Sequence, residues 1–125
     1  MEEKAVVTNL IIGSSNLIID ESGTYQIVDP QPASGTNQFI IIDANIEGEV
    51  VFILPNSSIY DDGFSRNYYF INNSNGDYSA LIKSANVQKP NVPDYINGKT
   101  EIKVDPNAGL NIQKYTTGRY RATAC

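Results

Sequence analysis

The stretch QFIIIDANIEGEVVFIL, residues 38–54, decides the fold class. It holds two apolar runs of strand length, Gln38 to Asp43 and Glu49 to Leu54, with Gly48 in the loop between them. Both are dominated by Ile, Val and Phe. Such side chains suit a pleated surface, and the β-branched ones lose rotamer freedom in a helix. Pro55 stops the second run, because proline has no N–H to give to a ladder.

Working outward, the rest of the chain has the same texture. Sixteen Ile and eight Val stand against five Leu and eight Ala, which is the usage of strands. Upstream lie Val6 to Ile12 and Asn16 to Asp20, separated by Gly13-Ser14-Ser15, and then Thr24 to Asp29. The segment Pro30 to Gly35 breaks any ladder. Downstream, Asn67 to Asn72 reads as a strand, and Asn75-Gly76 after it is the dipeptide of a type I′ turn. Tyr78 to Lys83 is therefore expected to return antiparallel to it as a hairpin. A second Asn-Gly pair, Asn97-Gly98, follows a short bridge at Ile96, and Thr100 to Val104 alternates polar and apolar. Leu110 to Gln113 alternates again, and Gly118 turns the chain into a last strand, Arg119 to Thr123. Nine or ten short strands between turn signals predict an all-β, single-domain antiparallel β-sandwich. Its expected extent is residues 24–125, preceded by an N-terminal arm or edge strand over residues 1–23. The apolar stretch Val6 to Ile19 is expected either to pair with a partner or symmetry mate, or to be a plain strand of the same domain.

Composition narrows the chemistry. The chain has 125 residues, no His, no Trp and one Cys, Cys125. A His-based general base, a Cys/His zinc site and an intrachain disulfide are excluded. Asp61-Asp62-Gly63 offers adjacent carboxylates, but adjacent residues rarely flank a substrate, and a loop turn accounts for them. Asn73, Asn75 and Asp77 have the spacing of a calcium loop without its later Glu. An enzyme would rest on Asp43, Asp61 and Asp62 alone. No catalytic, cofactor-binding or metal residues are expected.

No apolar run approaches the length of a membrane helix, and the acidic start Met1-Glu2-Glu3-Lys4 leads into no signal-peptide pattern, so synthesis in a cytoplasm is expected. The formal net charge of −5 argues against a general nucleic-acid binder. The charge is uneven: residues 1–62 hold ten acids and one base, residues 63–125 eight bases and four acids. Lys114, Arg119 and Arg121 interleave with Tyr115 and Tyr120 as a small basic and aromatic patch, suited to an acidic neighbouring subunit. Tyrosine offers contact area with a polar tip. Tyr60, Tyr68, Tyr115, Arg119, Tyr120 and Arg121 are the expected interface residues. Tyr68 and Tyr69 point to opposite sheet faces, so at most one of them is core.

From Gly35 to Ala124 the order of landmarks resembles a module of tailed-bacteriophage virion proteins, found in capsid decoration proteins, head fibres and tail fibres. An apolar strand ending in Leu-Pro is matched by Val50 to Pro55, and a Gly-containing loop leading to an aromatic strand by Gly63 to Asn73. A turn with an alternating strand is matched by Tyr95 to Ile102. The closing strand, Gly turn and terminal aromatic strand are matched by Leu110 to Gln113, Gly118 and Tyr120. The family often ends in Gly-Thr-Asn-Trp-Tyr, where this chain has the basic Gly118-Arg119-Tyr120-Arg121. The resemblance implies a β-sandwich or jelly-roll-like module, often trimeric, without catalytic residues. It would be a virion protein that binds the major capsid protein or other virion proteins as decoration or head fibre. The alternative is a carbohydrate- or receptor-binding module of a tail fibre, with Tyr and Asn on loops such as Asn56 to Arg66 and Asn86 to Asp94.

Overall fold

The computed structural model describes residues 6–13, 15–31, 36–60, 64–76, 78–85, 94–116 and 118–125. They form β1 (Val7–Ile11), β2 (Leu17–Ile19), β3 (Gly23–Val28), β4 (Asn37–Ile42) and β5 (Val50–Ile53). A single 3-10 turn, Ser57–Ile59, precedes β6 (Asn67–Asn72), β7 (Ala80–Lys83) and β8 (Tyr95–Ile96). β9 (Glu101–Val104), β10 (Gly109–Thr116) and β11 (Arg119–Ala124) complete the chain. The all-β expectation holds. Among the described residues no helix is long and apolar enough to cross a membrane.

The strands make two mixed sheets, ordered β1-β3-β5-β7-β9 and β2-β4-β6-β10-β11-β8. Through β7, consecutive strands alternate between the sheets, so the neighbours within a sheet are parallel. Val7 sits beside Thr24, Gly23 beside Val50 and Val50 beside Ala80 in one layer. Leu17 sits beside Ile40, and Ile40 beside Phe70, in the other. The chain thus winds as a flattened coil. This corrects the antiparallel, jelly-roll-like expectation. Antiparallel pairing begins only where β10 meets β6 and β11, and where β9 meets β7.

The expected hairpin at Asn75-Gly76 is corrected with it, since β6 and β7 lie in different sheets. The segment after β6 is a corner rather than a hairpin turn. The buried Asn72 donates through Nδ2 to the carbonyls of Val104 (2.9 Å) and Tyr78 (3.1 Å). Its Oδ1 accepts from the Ser74 N–H at 3.1 Å, and Asn75 N–H reaches back to the Ala44 carbonyl at 3.0 Å. These bonds satisfy a buried backbone bend that a two-residue turn would not leave open. The other Asn-Gly pair behaves as read. Asn97 (φ 51°) and Gly98 (φ 79°) take the left-handed conformations of a type I′ turn, and Ile96 and Lys99 exchange backbone hydrogen bonds of 2.6 and 2.9 Å.

The core lies between the layers. Ile27, Phe52 and Ile82 come from one sheet and Ile40, Phe70 and Ile112 from the other. The Phe52 and Phe70 rings meet across the gap with centroids 5.1 Å apart and tilted planes. β1 and β2 are edge strands of their sheets, and Ile12 and Ile19 beside or within them join this core. The stretch Val6 to Ile19 therefore pairs inside its own domain. Its corner is fixed by the buried Gln38, whose Oε1 accepts from Gly13 N–H (3.1 Å) and whose Nε2 donates to the Ser15 carbonyl (2.8 Å).

Candidate functional site

Of the six expected interface residues, three reach solvent. In β10, Ile112 and Lys114 point inward and leave Tyr115 outside; in β11, Tyr120 and Ala122 point inward and leave Arg119 and Arg121 outside. Strand periodicity makes this split unavoidable. The Arg121 guanidinium lies over the Tyr115 ring at 4.7 Å from its centroid, a contact worth about 0.5–1 kcal/mol at an exposed site. β8 pairs parallel to β11 and sets the exposed Tyr95 beside Arg119 on the same face. Two cations and two tyrosines thus share one surface at the end of the molecule.

What holds this surface still lies beneath it. Gly118, with φ 85°, donates its N–H to Ser57 Oγ at 2.7 Å and accepts from Tyr95 N–H at 2.8 Å. Ser57 in turn gives its hydroxyl to Asp94 Oδ1 (2.6 Å) and its N–H to Asp94 Oδ2 (2.9 Å), and both residues are buried. Asn56 caps the 3-10 turn by accepting from Ser58 N–H at 2.9 Å. The Ser57 hydroxyl is thus committed to structure and lies away from solvent, which leaves it no nucleophile's role.

Tyr60, Tyr68 and Tyr120 correct the interface expectation: they are 4%, 0% and 1% exposed and belong to the core. Burial is compatible with their hydroxyls because each has a partner. Tyr120 donates to the Pro55 carbonyl at 2.9 Å. Tyr60 and Tyr68 hydrogen-bond each other, and both reach Asp29 Oδ2, at 2.8 and 3.2 Å. Asp29 also takes a two-pronged contact from Arg66, Nε to Oδ2 and Nη2 to Oδ1, each 2.8 Å. Burial is the main force pushing all three tyrosine hydroxyls above their usual range; for Tyr60 and Tyr68 their mutual or Asp29 contacts modify it. Burial alone would lower the Arg66 guanidinium, and the Asp29 carboxylate outweighs it, leaving it raised. Lys114, also buried, donates from Nζ to the Tyr60 carbonyl at 2.6 Å.

Tyr68 is core and Tyr69 is half-buried outside, stacked on Phe39 with centroids 4.8 Å apart, as the opposite-face rule requires. Lys114, assigned to the basic patch, lies beneath it. Asp43 caps its own loop by accepting from Asn45 N–H at 3.2 Å. Asp61, Asp62, Asp77 and residues 86–93 lie outside the described residues. Asp29 and Arg66 are not legible as partners from sequence: an acid closing one apolar strand and a base preceding another are the only signals. Neither protein-family models, curated proteins nor solved structures give a match to this chain.

Proposed function

We propose that the chain is a non-enzymatic structural protein of a virion, a capsid decoration or head-fibre subunit that binds the major capsid protein and itself assembles as a homo-oligomer. The observation that carries this is the outward cluster of Tyr95, Tyr115, Arg119 and Arg121, set on a chain of net charge −5 and braced from below by Ser57, Asp94 and Gly118. Aromatic rings and arginines on a rigid support are the side chains that carry binding energy at protein interfaces. A local positive patch on an acidic protein gives orientation, because only that face is attracted to an acidic neighbour. The sequence landmarks from Gly35 to Ala124 supply the virion context, and we read the winding as a short β-solenoid closed by antiparallel strands rather than the sandwich that context implies. A subunit that binds only the assembled lattice adds its binding free energy to that lattice.

Co-sedimentation with undecorated capsids tests this directly. The protein is expected to pellet with capsids at micromolar concentration, and a double Arg119→Glu, Arg121→Glu variant is expected to stay in the supernatant. Absence of binding by the unaltered chain would count against the proposal. Retention on a glycan array in its place would move the assignment to a carbohydrate- or receptor-binding module.

A further inference from the structure

The N-terminal end of the coil presents two sheet edges at once. β1 closes one sheet and β2 the other, and among the described residues no strand pairs with the outer side of either. Parallel pairing with β3 uses only one side of the β1 backbone, so the N–H and C=O groups on the other side stand ready for a further strand. The side chains around them are apolar and exposed: Val6 at 82%, Val7 at 47%, Ile11 at 54%, and Ile18 of β2 at 57%. β1 reads Val-Thr-Asn-Leu-Ile and β2 Leu-Ile-Ile, so neither carries a charge, a proline or a glycine. Those are the residues by which proteins ordinarily keep an open edge from pairing.

The charge pattern selects the occupant. In a two-fold contact a strand edge meets its own copy, so a charge near the axis would face its like; β1 and β2 have none. The sequence of β1 is also self-complementary when reversed about Asn9. Val7 then lies opposite Ile11 of a second copy, Thr8 opposite Leu10, and Asn9 opposite Asn9, where two side-chain amides can bond each other. β2 reversed about Ile18 places apolar residues on apolar residues throughout. We propose that this pole is a self-association edge, at which two copies of the chain join with β1 antiparallel to the second copy's β1 about a two-fold axis at Asn9. The five-stranded sheet then runs on from one copy into the next. The contact uses no residue of the Tyr95, Tyr115, Arg119 and Arg121 cluster, so it stands or falls apart from capsid binding.

The test is the mass of the purified chain by light scattering across a concentration series, with far-UV circular dichroism as the check on folding. The chain is expected to reach the mass of two copies. The double variant Val7→Lys, Ile11→Lys is expected to remain at one copy with an unchanged spectrum, since both positions are already half exposed. Lys103→Glu at the opposite end is expected to leave the dimer intact. A cross-link checks the register and does not depend on loss of binding: in a Cys125→Ser background, Asn9→Cys is expected to give a covalent dimer on mild oxidation and Lys103→Cys is not. A chain that stays at one copy at every concentration overturns the proposal. So does a mass of three copies, a dimer that survives both lysines, or a dimer that Asn9→Cys does not cross-link.

Discussion

At one end of the coil, β1 and β2 finish the two sheets with uncharged, apolar strands, whereas at the other end β9 carries exposed Glu101 and Lys103 and β8 is two residues long. Beyond β8 the job of pairing passes to a side chain. Asn97 Oδ1 accepts from Ala122 N–H at 3.0 Å and its Nδ2 donates to the Ala122 carbonyl at 2.9 Å, copying what another strand residue would do. The same fold therefore blunts one pair of edges and leaves the other pair open. An open edge is a liability unless something uses it, and the asymmetry between the poles is what gives the N-terminal one its meaning.

The largest expected effect lies between the poles, where they are tied together. Asp29 follows β3, while Arg66 immediately precedes β6 and Tyr68 lies within it, so Asp29→Ala strands the Arg66 guanidinium in the interior. A loss of about 3–5 kcal/mol is expected, read as a lower urea midpoint, with both halves unfolding in one transition. Two separate transitions would show that the poles are independent units.

Alkali should act on the same region. The unfolded tyrosines lose their protons near 10, whereas buried Tyr60, Tyr68 and Tyr120 hold theirs to higher pH, so above pH 10 the unfolded state binds fewer protons. Stability is fully present below 10 and falls as pH rises beyond it, by about 1.4 kcal/mol per pH unit for each such tyrosine. Urea midpoints measured on both sides of pH 10 check this; a flat profile would mean that these hydroxyls are open to water.

Gly48 sits on the corner leading into β5 with φ 119°, and a Cβ there would meet Ser22 at 3.0 Å. Gly48→Ala is expected to cost about 1–3 kcal/mol, measured by thermal unfolding. Asn97→Ala removes the side chain that stands in for a strand, at about 1 kcal/mol. Its sharper consequence is a C-terminal edge left as open as the N-terminal one, so aggregation on concentration should rise. Val7→Lys is the smallest, within about 0.5 kcal/mol of the parent when both are measured dilute enough to be single copies, because in one copy the position is half exposed. A large loss there would mean that β1 is held by more than its pairing with β3.

The strands themselves were legible because β-branched composition and alternation act locally: Gln38 to Ile42 and Val50 to Ile53 stand where the sequence places them. Their partners were not, because pairing is decided by how the chain turns. Asn75-Gly76 and Asn97-Gly98 carry the same dipeptide, yet only the second makes a hairpin. The difference is made by Asn72, whose contacts to Val104 and Tyr78 bring together residues distant in sequence. One available signal pointed to the parallel winding: Phe39 to Ile42 and Val50 to Leu54 are unbroken apolar runs, which parallel strands favour over alternation. At the candidate site, alternation placed Tyr115, Arg119 and Arg121 outside. Tyr60 escaped that logic because it lies in a loop after the 3-10 turn and Tyr68 because the phase of a strand is set by its neighbours, whereas alternation by itself already puts Tyr120 on the face opposite Arg119 and Arg121.

The alternating path of the chain between layers also bears on how the molecule reaches its shape. Each parallel pair encloses a strand of the opposite sheet, so β3 and β5 cannot meet until β4 has been placed. Strands β10 and β11 need only close the short turn at Gly118. Local contacts form before distant ones. The pair formed by β10 and β11 is therefore the one this topology can close first, whereas each parallel pair waits on a strand of the opposite layer.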